Sequence, residues 1–313
     1  MKSFNPRSLV ALSALFSLTL ACAEPQDPAS RVVSFRVLAE QADAPFAAPG
    51  ETVNVTSLSY DPQGRPVTWA WASCVNPSSS SVDGCIQKVA EETEATGMLP
   101  LLAFGEGQNT LTLPIPANAL DSVPEVARPS ASVGVLSVAC PGALTVEQGP
   151  AGLPFRCTDV ASGQELGLDE FVVGLKRIQL RASDRNANPG IASVTFDGAD
   201  WPAGEIKEIG FCDTDDNDYA ACSDSNKHDI AAQVTSDSFE VGSDEFGRAF
   251  EEQVIVQYFA TEGIFENEIR IAAEPKTGFV ARKAASGQEL RLWFVARDDR
   301  GGVSWAERRV QVR

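Results

Sequence analysis

The sequence predicts an all-β chain: two β-sandwich domains in tandem, behind a cleaved leader. Three observations carry that expectation. Short apolar runs alternate with period two, turn residues punctuate them, and only one stretch could support a helical turn or two. Strands separated by turns, without long amphipathic helices, favour packed sheets over an α/β enzyme fold. After loss of the leader about 290 residues remain, more than one typical sandwich needs.

The elements follow in order. In RVVSFRVLAE, Val33, Phe35 and Val37 alternate with Ser34 and Arg36. In ETVNVTSLSY, Val53 and Val55 alternate before the phase slips to Leu58 and Tyr60, as a bulge would make it do. PVTWAWASC puts Val67, Trp69 and Trp71 on one face, and NTLTLPIP does the same for Leu111, Leu113 and Ile115. VGVLSVAC and LKRIQLRA continue the series, with turns at APGE (48–51), DPQGRP (61–66) and IPANA (115–119). IQKVAEETEATG (86–97) is the stretch that could form a helical turn or two. Segments 75–108 and 141–170 exceed hairpin loops, and each borders or encloses a cysteine pair. The polar SDRNANPG (183–190) reads as a boundary, giving a first domain over 31–182 and a second over 183–313. There, Val194 and Phe196 mark one strand, and Val254, Val256 and Tyr258 another. The final ELRLWFVARDDRGGVSWAERRVQVR gives two strands around Asp298-Asp299-Arg300-Gly301-Gly302.

The N-terminus sets the compartment. Lys2 and Arg7 precede an apolar run, 9–20, that is too short to span a membrane and suits an export signal. Leu18-Thr19-Leu20-Ala21-Cys22 resembles the lipobox of bacterial lipoproteins. That resemblance implies a signal peptide over 1–21, diacylation of Cys22, and a tether over 22–30 whose lipid holds the chain to a membrane. Ala23 in place of Asp resembles lipoproteins sorted to the outer membrane, so the expected location is that membrane, facing periplasm or cell surface. Losing 1–21 removes Lys2 and Arg7 and no acids, taking the net charge from −18 to −20. Such a surface repels nucleic acid and anionic lipid and suits cations or cationic partners.

Setting Cys22 aside leaves Cys74, Cys85, Cys140, Cys157, Cys212 and Cys222, falling as close pairs with ten, sixteen and nine residues between partners. Six cysteines allow fifteen connectivities. Sequential pairing is the economical choice and suits an oxidising compartment. No spacing is of the CxxC kind used by zinc or thioredoxin-type sites.

APGETVNVTSLSYDPQGRPVTWAW resembles the opening strands of Ig-like domains of the PKD type, in which a Pro-Gly-Glu turn leads into a strand. LWFVARDDRGGVSWAERRVQV resembles the last hairpin of such a domain. The resemblance implies a core position for Trp71 and closing-strand positions for Trp293 and Trp305. It also implies an envelope lipoprotein of a kind that binds, spaces or stiffens and seldom catalyses. The expected role is therefore a non-catalytic binding or spacer module, with an envelope protein or polysaccharide as its partner.

The alternatives rest on particular residues. FCDTDDNDYAACSDSNKHD (211–229) crowds six aspartates and the sole histidine between and beyond Cys212 and Cys222. Asp213, Asp215 and Asn217 occupy the first, third and fifth positions of an EF-hand-like register, with the Tyr219 carbonyl at the seventh and Asp224 at the twelfth. Calcium there would make a calcium-stiffened, adhesin-like surface protein. Asp218 stands where glycine usually makes the turn, and the other reading is a disulfide-stapled loop whose carboxylates face water. His228, between Lys227 and Asp229, is expected to be exposed, and GxSxG, HExxH, SxxK and P-loop spacings are absent. An envelope hydrolase would need two carboxylates in opposed environments within one cleft. A carbohydrate-binding protein would use an exposed aromatic, and Trp201, after the turn-like DGAD, is the candidate.

Overall fold

Alternating β-branched and aromatic residues become strand wherever a face can be buried. The computed structural model describes residues 27–76, 81–121, 123–147, 154–213, 217–244 and 247–313. Residues 1–21, Cys22 and Asp215 thus lie outside the described residues. Ahead of the 183–190 stretch run β1 (Arg36–Ala42), β2 (Phe46–Ala47), β3 (Thr52–Tyr60), β4 (Thr68–Val75) and helix α1 (Val82–Thr96). They are followed by β5 (Leu101–Glu106), β6 (Thr110–Pro114), β7 (Ser132–Cys140), β8 (Ala143–Thr145), β9 (Arg156–Thr158) and β10 (Val172–Leu180). One sheet has the order β1-β3-β6 and the other β2-β10-β7-β4-β5. Val53, Trp69, Trp71, Leu113, Val135 and Ile178 fill the space between them. Trp69 and Trp71 stack with ring centroids 5.6 Å apart, on the shared face their spacing requires.

Beyond 190 come β11 (Ile191–Phe196), β12 (Ala199–Asp200), β13 (Ile206–Ile209), β14 (Phe211–Cys212), β15 (His228–Val234), β16 (Val241–Ser243) and β17 (Ala249–Glu251). The chain ends with β18 (Val254–Ala260), β19 (Ile264–Phe265), β20 (Ile269–Ile271), β21 (Thr277–Arg282), β22 (Glu289–Asp298) and β23 (Val303–Val312). Sheets β12-β11-β15-β21-β14 and β13-β23-β22-β18-β20 enclose a second core around Val194, Ile230, Tyr258, Phe279, Leu292 and Phe294. The chain is an all-β sandwich protein with two such cores. Its disulfides join Cys74 to Cys85, Cys140 to Cys157 and Cys212 to Cys222, the sequential pairing.

Two local expectations change. The bulge lies on β1, not β3: Val37 faces Ser59 and Ala39 faces Leu58, which leaves Leu38 as the extra residue. β3 keeps its alternation, with Val53, Val55 and Ser57 buried. Leu58 and Tyr60 are apolar on its other face because that face packs against Trp293 and Phe259 of the second sandwich. The phase slip therefore marks a contact rather than a change of register. α1 is also longer than a turn or two, running 15 residues to Gly97, whose φ of 74° closes it with an N–H bond to Thr93. Its first turn is pinned to β4 by Cys74–Cys85, while Ile86 and Val89 face the sheet. Residues 30–32 run beside β18: Val32 N–H donates to the Ala260 carbonyl, and Ala260 N–H to that of Ser30, each at 2.9 Å.

Candidate functional site

β22 is buried on both faces. Leu290, Leu292, Phe294 and Ala296 enter the second core, whereas Trp293 and Val295 point at the first sandwich. Trp293 meets Val32 and Leu38, the bulged residue, and its ring lies 4.9 Å from Tyr60. Val295 and Val303 meet Ala39. The boundary stretch is tied into this joint rather than hanging as a tether. Asn188 Nδ2 donates to the Ala42 carbonyl at 2.7 Å, and its Oδ1 accepts from Val303 N–H at 2.9 Å. Arg185 donates to Glu51 at 2.7 Å.

Next to this apolar seam lies a groove of about 590 Å³, walled by β10, by β1 and by the β22–β23 turn. Lys176 shares parity with Ile178 and Leu180, so β10 carries an ammonium into the end of the first core. Its Nζ donates to the Gly301 carbonyl of the second sandwich at 2.5 Å. Burial, with Arg297 nearby, pulls this lysine down to about 8. Glu40 accepts from Ser137 Oγ at 2.5 Å and from Ser57 Oγ at 3.2 Å. Burial pushes the Glu40 carboxyl above the usual carboxylate range, against the pull of both hydroxyls, Lys176 and Arg297. Gly174 makes room for this: a Cβ there would sit 2.6 Å from Ser137 Oγ and 3.1 Å from Glu40 Oε1. Arg297 crosses the joint, donating from Nη2 to the Leu38 carbonyl at 2.6 Å and from Nε to Gln257 at 2.7 Å.

The turn forming the far wall is braced by Asp298. Its Oδ1 accepts from Arg300 N–H at 2.9 Å and Gly302 N–H at 2.7 Å, and its Oδ2 from Asn186 at 3.1 Å. Arg300 pairs with Glu240 at 2.9 Å and stacks over Phe46 and Phe250 at 5.0 and 4.4 Å. Behind it, Glu252 is buried and accepts from Glu240 N–H at 3.4 Å. Burial first, then the charges of Asp298 and Glu240, raise Glu252 to about 7. Asp299 accepts from Gln253 N–H at 3.4 Å. Each carboxylate in and behind the groove thus holds a structural bond.

Trp201 must be corrected: it is wholly buried in the second core, edge-on to Phe196 and Phe294, with Nε1 donating to the Glu205 carbonyl at 3.0 Å. Asp197 and Gly198 make the turn, and β12 then folds back over the core and carries Trp201 inward. His228 is not exposed either. Its ring packs 4.8 Å from Phe196, and Nδ1 lies 2.9 Å from Asp197 Oδ2.

In the acidic loop, Asn217 Oδ1 accepts from Arg31 at 3.2 Å and Asp224 pairs with Lys227 at 2.9 Å. The Tyr219 carbonyl accepts from Cys222 N–H at 3.3 Å, and Asp213 is exposed. No group of three or more His, Cys, Asp or Glu able to hold a metal occurs among the described residues. Sequence reasoning overlooked Glu40, Lys176 and Arg297. The usable signal was parity, since each shares a strand face with buried apolar neighbours.

No protein-family model matches the chain, and no curated protein matches it. Among solved structures it is similar to the apo structure of Bacteroides uniformis beta-glucuronidase 3, with 9% identity and a TM-score of 0.20. The match covers 87% of this chain and 24% of that one, so the chain spans about a quarter of that protein's length. A likeness this loose supports no inference about activity.

Proposed function

We propose that this chain is a non-catalytic envelope protein, held at the outer membrane by lipid on Cys22 and acting as a binding or spacer module. The joint supports the reading best. Two sandwiches share an apolar seam, and Lys176, Asn188 and Arg297 each bond across it. A stiff pair of sandwiches suits a spacer or a presented binding surface. Carboxylates spent on structural bonds favour that role over a hydrolase, whose acid and base must face substrate. The PKD-like nature of the sandwiches belongs to the same proposal, supported by Trp71 in the first core and by the closing β22–β23 hairpin.

Metabolic labelling with an alkyne-bearing palmitate, followed by membrane fractionation, tests this reading. The wild-type chain should be labelled and sediment with the outer membrane, and Cys22→Ser should be unlabelled. An unlabelled wild-type chain would remove the lipid anchor. Polysaccharide hydrolysis by the wild type that disappears in Glu40→Gln would remove the non-catalytic role.

A further inference from the structure

We infer that the open edge of β10 takes an extended acidic peptide as an added strand, held between β10 and the β22–β23 turn. This rests on the binding-module reading of the same groove and names its partner class. β10 has β7 along one side, but on the other β2 covers only Gln179 and Leu180. The direction of the backbone groups follows from three bonds. Leu180 N–H donates to Ala131 on the β7 side, whereas Gln179 and Arg181 N–H donate to Pro45 and Ala47 on the other. Strand alternation therefore turns the N–H and C=O groups of Val173, Leu175 and Arg177 away from β7 and past the end of β2, and Leu175 and Arg177 line the groove. Among the described residues, no strand other than β7 pairs with Val173, Leu175 or Arg177.

An unpaired edge is a template for another strand. Here it is not a flat outer rim, because the turn at 298–302 and β1 stand opposite it across about 590 Å³ of space. That volume lies within the usual range of about 300–1,000 Å³ for ligand sites. The charge is distinctive. Lys176, Arg177, Arg181, Arg297 and Arg300 line the groove against Glu40, Asp298 and Asp299, a cationic excess in a chain of net charge −18. Most of these cations already hold the joint together. Arg177 is exposed and has no ion-pair partner among the described residues, so it is placed to meet an incoming carboxylate. Main-chain bonds to Val173, Leu175 and Arg177 would supply affinity, and every second side chain of the peptide would meet the basic wall.

The test pans a display library of random nonapeptides against the full mature chain. Enriched peptides should alternate Asp or Glu with other residues. Binding should slow amide exchange at Val173, Leu175 and Arg177, and N-methylation of every second peptide residue should weaken it at least about tenfold. Arg177→Glu should cost about tenfold as well. Peptides that bind regardless of N-methylation and of Arg177→Glu would overturn the proposal. So would a library that enriches nothing while the edge amides exchange unchanged. Palmitate labelling of Cys22 is read separately, so failure here leaves the lipid-anchored spacer standing.

Discussion

Trp293→Ala removes an apolar contact between the two sandwiches. The indole is 1% exposed and packs on Val32, Leu38 and Tyr60. A buried aromatic covers about 150–250 Å², which at about 25 cal/mol per Å² is worth about 4–6 kcal/mol. Aromatic-to-alanine losses in protein interiors run to about 3–5 kcal/mol, which agrees. The other face of β22, with Leu292 and Phe294 in the second core, is untouched. The loss should therefore fall on the coupling between sandwiches more than on either core. Calorimetry and urea unfolding followed by tryptophan fluorescence read this directly. Wild type should unfold in one cooperative transition, and Trp293→Ala in two, the first at lower temperature and lower urea. A variant that loses under about 1 kcal/mol and still unfolds in a single transition would mean that the Trp293 contact does not couple the sandwiches.

Three further outcomes are expected. Gly174→Ala drives a methyl against Ser137 Oγ and Glu40 and should cost about 1–3 kcal/mol by urea titration; an unchanged midpoint would mean that Glu40 is not held as described. Glu252 binds its proton more tightly when folded, up to about 7, so its contribution to stability is present below the usual carboxylate range and is lost as pH rises toward 7. Glu252→Gln should accordingly flatten the fall in melting temperature between about pH 4.5 and 7, and a slope identical to wild type would contradict this. Millimolar calcium should leave the melting temperature unchanged, because Asn217 and Asp224 are engaged by Arg31 and Lys227. A bound ion at a hundred times its dissociation constant would instead add about 2.7 kcal/mol, and a rise of that size abolished by Asp213→Asn would establish a calcium site.

Much of the fold was legible because alternation reports burial on one face. It placed Trp69 and Trp71 together, set the Val254–Tyr258 strand, and located the 298–302 turn. The rule fails where both faces are covered. Leu58 and Tyr60 read as a slipped phase because their partner, Trp293, lies more than two hundred residues away in sequence. α1 was underestimated because its Glu-rich outer face reads as loop, while the disulfide to Cys74 and the contacts of Ile86 and Val89 are long-range. Trp201 misled because a turn three residues earlier suggests exposure, and only the path of β12 decides otherwise. The groove itself was nearly invisible. Lys176 and Glu40 stand on strand faces that enter a core, but what accommodates them, Gly174 and a turn from the other sandwich, comes from distant parts of the chain.

The two sandwiches are expected to move as one body about the Trp293 seam and the Lys176–Gly301 bond. Pulsed electron–electron double resonance reads this, with nitroxides attached through introduced keto amino acids at Glu92 on α1 and Ile269 on β20, both exposed. The disulfides then stay intact. One narrow distance peak is expected for the wild-type background, broadened by Trp293→Ala. A broad or two-peaked distribution in the wild-type background would contradict it.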